Sequence, residues 1–70
     1  MERLEKIVQK YLKDSNVSDT DDLFEHGLDS LNLLRLIIEL EEEFGIFVDL
    51  DDLDYENFST IKNMREYIKI

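Results

Sequence analysis

The chain has 70 residues, no cysteine, no proline and a formal net charge of −10. A domain this small buries only about 60% of the surface its unfolded chain exposes, so its core is thin and its stability marginal. The lack of cysteine excludes a disulfide framework, a dithiol centre and a cysteine-based zinc site, and the charge opposes nucleic acid and anionic membrane as partners.

The acidity has a location. Between Asp14 and Ile61 lie fifteen Asp or Glu residues and one basic residue, Arg35; the remaining basic residues flank that segment, from Arg3 to Lys13 and from Lys62 to Lys69. Such a middle attracts proteins with basic patches, although ordinary solubility also accounts for it.

In chain order, Leu4, Ile7, Val8, Tyr11 and Leu12 recur at helical spacing and predict an amphipathic helix from about Glu2 to Lys13. Asp14 to Asp29, rich in Ser, Asn, Asp and Thr, reads as a long loop dotted with Val17, Leu23, Phe24 and Leu28. A loop of that length in a small domain packs its own apolar residues or serves function. The second helix is expected from Ser30, as its N-cap, to near Gly45, as its C′ glycine. Leu34, Ile37, Leu40 and Phe44 form the expected inward stripe, with Leu33 and Leu36 flanking it and Leu31 and Ile38 on the outer side. A short third helix is expected around Leu50 to Tyr55, with Leu53 and Phe58 pointing inward. Ser59 then caps a last helix whose stripe is Ile61, Met64 and Ile68.

The expected architecture is all-α: a small four-helix bundle of three main helices and one short one, in a single domain over residues 1–70. No period-2 run argues for a strand. Residues 1–15 lack the continuous apolar run of a signal peptide, and Leu31 to Leu40, interrupted by Asn32, Arg35 and Glu39, is too short to span a bilayer. A soluble, cytoplasmic monomer is the expectation.

Little here suits catalysis. His26 lies four residues before Ser30, but no Gly-x-Ser-x-Gly elbow is present, and a thin bundle shields a reacting site poorly. Residues 14–25 place oxygen ligands at positions 1, 3, 5, 9 and 12 of a calcium-loop spacing. Asp19 stands where that loop's sharp turn requires glycine and Asp21 where an apolar anchor is usual, so a solvated acidic loop is the better reading and no metal is expected. Glu41, Glu42 and Glu43 read as a solvated helix face that can also serve as a docking surface.

The stretch Leu23-Phe24-Glu25-His26-Gly27-Leu28-Asp29-Ser30-Leu31, followed by a helix ending Leu40-Glu41-Glu42-Glu43-Phe44-Gly45-Ile46, closely resembles the acyl carrier and peptidyl carrier protein family. Phe58 to Met64 also looks like the start of that family's last helix, so the resemblance covers nearly the whole chain. It implies that a phosphopantetheinyl transferase modifies Ser30 with 4′-phosphopantetheine from coenzyme A. The arm's thiol then holds an acyl, aminoacyl or peptidyl group as a thioester. A loading ligase or acyltransferase and downstream biosynthetic enzymes are the implied partners. On this reading the chain is a carrier, not an enzyme.

A serine at a helix start exposes its hydroxyl at a loop–helix junction, where backbone N–H groups and the positive dipole end favour a phosphodiester. Gly27 allows the turn, and Asp29 is positioned for partner recognition. Leu31, Arg35, Ile38, Glu41 and Glu42 would form an apolar–acidic docking strip; burial of Leu31 and Ile38 is the competing reading, and Phe47 either extends the strip or folds inward. Arg35 stands where fatty-acid-type carriers usually have an acidic residue, and Asp49 where proline is common. Together with the unusual His26, these departures favour a specialised stand-alone carrier. An acidic helical adaptor that binds a basic protein without a covalent arm is the alternative.

Overall fold

A computed structural model of the protein describes residues 3–14 and 16–69. Three α-helices, α1 (Arg3–Gln9), α2 (Ser30–Phe44) and α3 (Ile61–Ile68), enclose the core, and single 3-10 turns occupy Leu23–His26, Leu50–Asp52 and Tyr55–Phe58. No strand occurs among the described residues. The Cα radius of gyration is 10.9 Å.

The core is wholly apolar. Leu4, Ile7 and Val8 from α1, Leu33, Leu36, Ile37 and Leu40 from α2, and Ile61, Met64 and Ile68 from α3 meet Leu23, Leu28, Val48 and Phe58 from the connections. No polar or charged residue is buried among the described residues, so no desolvated charge has to be offset.

The first helix is shorter than its pattern. It ends at Gln9, and Lys10, Tyr11 and Leu12 continue it with i→i−3 bonds to Ile7, Val8 and Gln9, the tighter turn common at helix ends. Glu2, its expected first residue, lies outside the described residues. Beyond Leu12 the Lys13 N–H donates to the His26 carbonyl at 3.0 Å instead of continuing the helix, so a tertiary bond ends it.

The long loop carries an unpredicted 3-10 turn at Leu23–His26, capped by the Asp22 carboxylate on the Phe24 N–H. It is pinned to the rest of the fold at two further points. Leu23 N–H donates to Ser59 O at 2.8 Å, and Asp19 O accepts from Lys62 N–H at 3.0 Å while its carboxylate meets Arg65 at 2.9 Å. Leu23 and Leu28 are buried in the core, so the loop does pack its own apolar residues.

Four local expectations are corrected. The inward stripe of α2 is Leu33, Leu36, Ile37 and Leu40; Leu34 is 42% exposed and Phe44 only partly buried. Two overlapping helical sets exist in this sequence, and packing against α1 and α3 selects the one that leaves Leu34 on the shoulder. The N-cap of α2 is Asp29, whose carboxylate accepts from Asn32 N–H at 2.8 Å, and Ser30 is the first helical residue. The N-cap of α3 is Thr60, which accepts from Asn63 N–H at 3.0 Å, while Ser59 closes the preceding 3-10 turn. The short third helix is resolved into two 3-10 turns separated at Leu53 and Asp54, each capped by an aspartate, Asp49 and Asp54.

Candidate functional site at the start of the second helix

The junction before α2 is built by close backbone contacts. Gly27 has φ 104°, and a Cβ there would stand 2.7 Å from Lys13 Cγ and 2.8 Å from Lys13 N. Any side chain at this position is therefore both strained and blocked. The glycine lets the end of the α1 segment lie against His26–Gly27, which sets the direction in which Leu28 enters the core and Asp29 emerges.

Asp29 is extended, with φ −113° and ψ 179°, and its side chain and carbonyl accept from Asn32 and Leu33 N–H, both at 2.8 Å. Ser30 is exposed, and among the described residues its hydroxyl makes no hydrogen bond. The backbone N–H groups of Ser30 and Leu31 likewise have no partner among the described residues, as the first turn of a helix leaves them. A reachable hydroxyl beside free donors at the positive end of a 15-residue helix suits attachment of a phosphodiester. The Asp29 carboxylate partly opposes that charge while it stabilises the helix start.

His26 is directed elsewhere. Its Nδ1 lies 3.4 Å from Asp14 and its Nε2 4.0 Å from Asp21, so the ring bridges two loop aspartates. The loop carboxylates are taken up locally in the same way. Asp14 accepts from Asn16 N–H, Asp22 from Phe24 N–H, and Asp21 from Ser18 N–H, which holds the Asp21 carboxyl below its ordinary value. Among the described residues no group of three or more His, Asp or Glu is arranged to hold a metal ion.

Leu31 is 58% and Ile38 55% exposed, on the face of α2 opposite the core, and Arg35 and Glu42 are exposed beside them. Leu34 widens this apolar strip, which the sequence reading missed. Glu41 differs from the others: it is half-buried and its carboxylate accepts from Val48 N–H at 2.9 Å, fixing the chain after the Gly45 turn. Phe47 does not fold inward; it is 81% exposed.

Along the α1 side of α2 runs a shallow groove of about 480 Å³, lined by Tyr11, Arg35, Ile38, Glu39, Glu42 and Glu43. Glu39 anchors its wall, accepting 2.6 Å hydrogen bonds from Lys10 Nζ and the Tyr11 hydroxyl. Those bonds, that of Lys10 first, lower the Glu39 carboxyl, and the same Tyr11–Glu39 bond raises the Tyr11 phenol. No helix among the described residues is long and apolar enough to cross a membrane.

Residues 2–68 match the family model described as the phosphopantetheine attachment site. An acyl carrier protein of Zymomonas mobilis is 37% identical over 96% of this chain and 87% of its own, and one of Desulforapulum autotrophicum 36% identical over 96% and 90%. Among solved structures, a chain in the crystal structure of an engineered Bradyrhizobium japonicum glycine:[carrier protein] ligase complexed with a carrier protein from Agrobacterium tumefaciens and ATP superposes with a TM-score of 0.82. The two share 27% identity over 94% of this chain and 91% of that one. This chain therefore belongs to the acyl and peptidyl carrier protein family: it is a carrier of covalently attached 4′-phosphopantetheine and not an enzyme.

Proposed function

We propose that Ser30 is the attachment point of the arm, and that this domain is a cytoplasmic carrier of acyl or aminoacyl groups. The observation that carries the assignment is the unbonded, exposed Ser30 hydroxyl at the start of α2. The other described serines fit less well: Ser59 Oγ donates to Glu56 O at 2.9 Å, and Ser18 sits in the acidic loop. Once attached, the arm supplies a thiol that forms a thioester with the cargo. The chain's own part is to keep Ser30 reachable and to present a docking surface.

That surface comprises Asp29, Leu31, Arg35, Ile38, Glu41 and Glu42, with Asp29 and Glu41 also serving the fold through their N–H contacts. The partners are a phosphopantetheinyl transferase, a loading ligase or acyltransferase, and biosynthetic enzymes that use the loaded arm. The acyl carrier proteins among its relatives support acyl cargo. The structural neighbour, found with a glycine:[carrier protein] ligase, supports aminoacyl cargo. At its charge of −10 the carrier works as a monomer without nucleic acid or membrane.

Intact mass after incubation with coenzyme A and a broad-specificity transferase tests the assignment: one phosphopantetheinyl group is added, and none to Ser30→Ala. Mass of the protein isolated from its native host would reveal arm and cargo together.

A further inference from the structure

The exposed apolar side chains of α2 lie on the face that carries Ser30. Successive residues of a helix are about 100° apart, so Leu34 and Ile38, four and eight positions after Ser30, stand within about 80° of it around the axis. Their heights above it are about 6 and 12 Å. Both are exposed, and Leu31, also exposed, borders the same row. Helical side chains tilt toward the N-terminus, so the strip leans toward the Ser30 end. The carboxylates nearest the strip are already engaged: Glu39 is held by Lys10 and Tyr11, and Glu41 by the Val48 N–H.

An arm rooted at Ser30 Oγ matches this row in length. From that oxygen to the sulfur, 4′-phosphopantetheine runs about 14 bonds, which at roughly 1.2 Å of advance per bond reaches about 17 Å. The two methyl groups of its pantoyl unit come at about 5 Å, level with Leu34. The methylenes between its two amides come at about 10 Å, near Ile38. On the other side of Ser30 stand the buried Leu28 and the anionic Asp29, which offer an apolar group no accessible surface and repel the phosphodiester. The tether holds the arm at an effective concentration in about the millimolar range, so contacts too weak to retain a free ligand are populated.

We propose that the Leu34–Ile38 row of α2, bordered by Leu31, is the resting site of the chain's own 4′-phosphopantetheine arm; the inference rests on Ser30 being the attachment point. The pantoyl methyls lie on Leu34 and the following methylenes on Ile38, with the arm's hydroxyl and amides on the solvent side. Because Leu31 and Ile38 also belong to the docking surface, a partner that seats on α2 takes the place of the arm and frees it.

The test compares apo- and holo-protein by nuclear magnetic resonance, with Leu and Ile methyl groups labelled and the arm installed on Ser30 from coenzyme A by a broad-specificity transferase. Nuclear Overhauser contacts are expected from the pantoyl methyls to Leu34 and from the arm's methylenes to Ile38, with methyl shifts at both residues between the two forms. Leu34→Ser/Ile38→Ser, whose substitutions are on the surface, should lose those contacts while circular dichroism shows the fold intact. Shifts confined to residues adjoining Ser30, with no contact from the arm to Leu34 or Ile38, overturn the resting site and leave the Ser30 assignment standing. Contacts from the arm to the core residues Leu36, Ile61 or Met64 instead would place it between the helices and also overturn the proposal. A holo-protein that sediments as a dimer, and a Leu34→Ser/Ile38→Ser variant that sediments as a monomer, would assign the row to a second copy with the same result. Failure of the parent protein to accept the arm at Ser30 overturns both readings.

Discussion

Replacing each glycine by alanine separates two costs that one positive φ would otherwise merge. Gly27 (φ 104°) and Gly45 (φ 64°) both lie where a side chain strains the backbone, at roughly 1–2 kcal/mol. At Gly45 nothing stands within 4 Å of the added Cβ, so strain is the whole penalty. At Gly27 the Cβ would sit 2.8 Å from the Lys13 backbone nitrogen, an atom no rotamer change can move. The segments must part, which endangers the Lys13 N–H to His26 carbonyl bond at 3.0 Å, worth about 1 kcal/mol. Gly27→Ala should therefore cost about 2–4 kcal/mol, against a total of about 4–10 kcal/mol for a chain of this size. At about 6 °C per kcal/mol, thermal unfolding followed by far-ultraviolet circular dichroism should show Tm falling by roughly 12–24 °C for Gly27→Ala and roughly 6–12 °C for Gly45→Ala. Slower modification of Ser30 should accompany the first change, because the same contact directs the chain into α2. Equal Tm losses for the two variants, within about 3 °C, would refute the close-approach argument.

The cap assignment predicts that Asp29→Ala loses about 1 kcal/mol, while Asp29→Asn, which retains an accepting oxygen, keeps most of it in chemical denaturation. The stripe of α2 predicts about 2–5 kcal/mol lost for Leu33→Ala and less than about 1 for Leu34→Ala, compared by the same method. Because the Glu39 carboxyl is lowered by Lys10 and Tyr11, its contribution is present above its ordinary value of 4.5 and disappears as pH falls through the lower folded value. Parent and Glu39→Gln stabilities should therefore converge in acid, as measured by denaturant titration across pH. The raised Tyr11 phenol has the opposite sign: its stabilisation is present below 10.0 and lost as pH rises through the folded value, so Tyr11→Phe should flatten the alkaline limb.

Most of the architecture was legible because apolar spacing is a strong signal in so small a chain. Leu4, Ile7 and Val8, and Ile61, Met64 and Ile68, are buried as their periodicity implied. The outward positions of Leu31 and Ile38, left open against burial, follow from which side of α2 meets α1 and α3. The stripe of α2 was misread for the same reason: Leu33 and Leu34 both complete helical sets, and only tertiary packing chooses between them. The caps were each placed one residue off. Asp29 precedes Ser30 and Thr60 follows Ser59, and adjacent residues with equivalent capping chemistry cannot be ranked by composition. The contact between Gly27 and Lys13 had no sequence signal beyond the glycine itself, since it joins residues on two different segments. In the site, a reachable Ser30 hydroxyl follows from the motif, whereas the structural duty of Glu41 toward Val48 depends on the turn at Gly45.

The central claim is tested most directly by locating the arm. After reaction of the apo-protein with coenzyme A and a transferase, fragmentation mass spectrometry should find one phosphopantetheinyl group on Ser30 and none on Ser30→Ala. An arm on Ser18 or Ser59, or undiminished modification of Ser30→Ala, would contradict it.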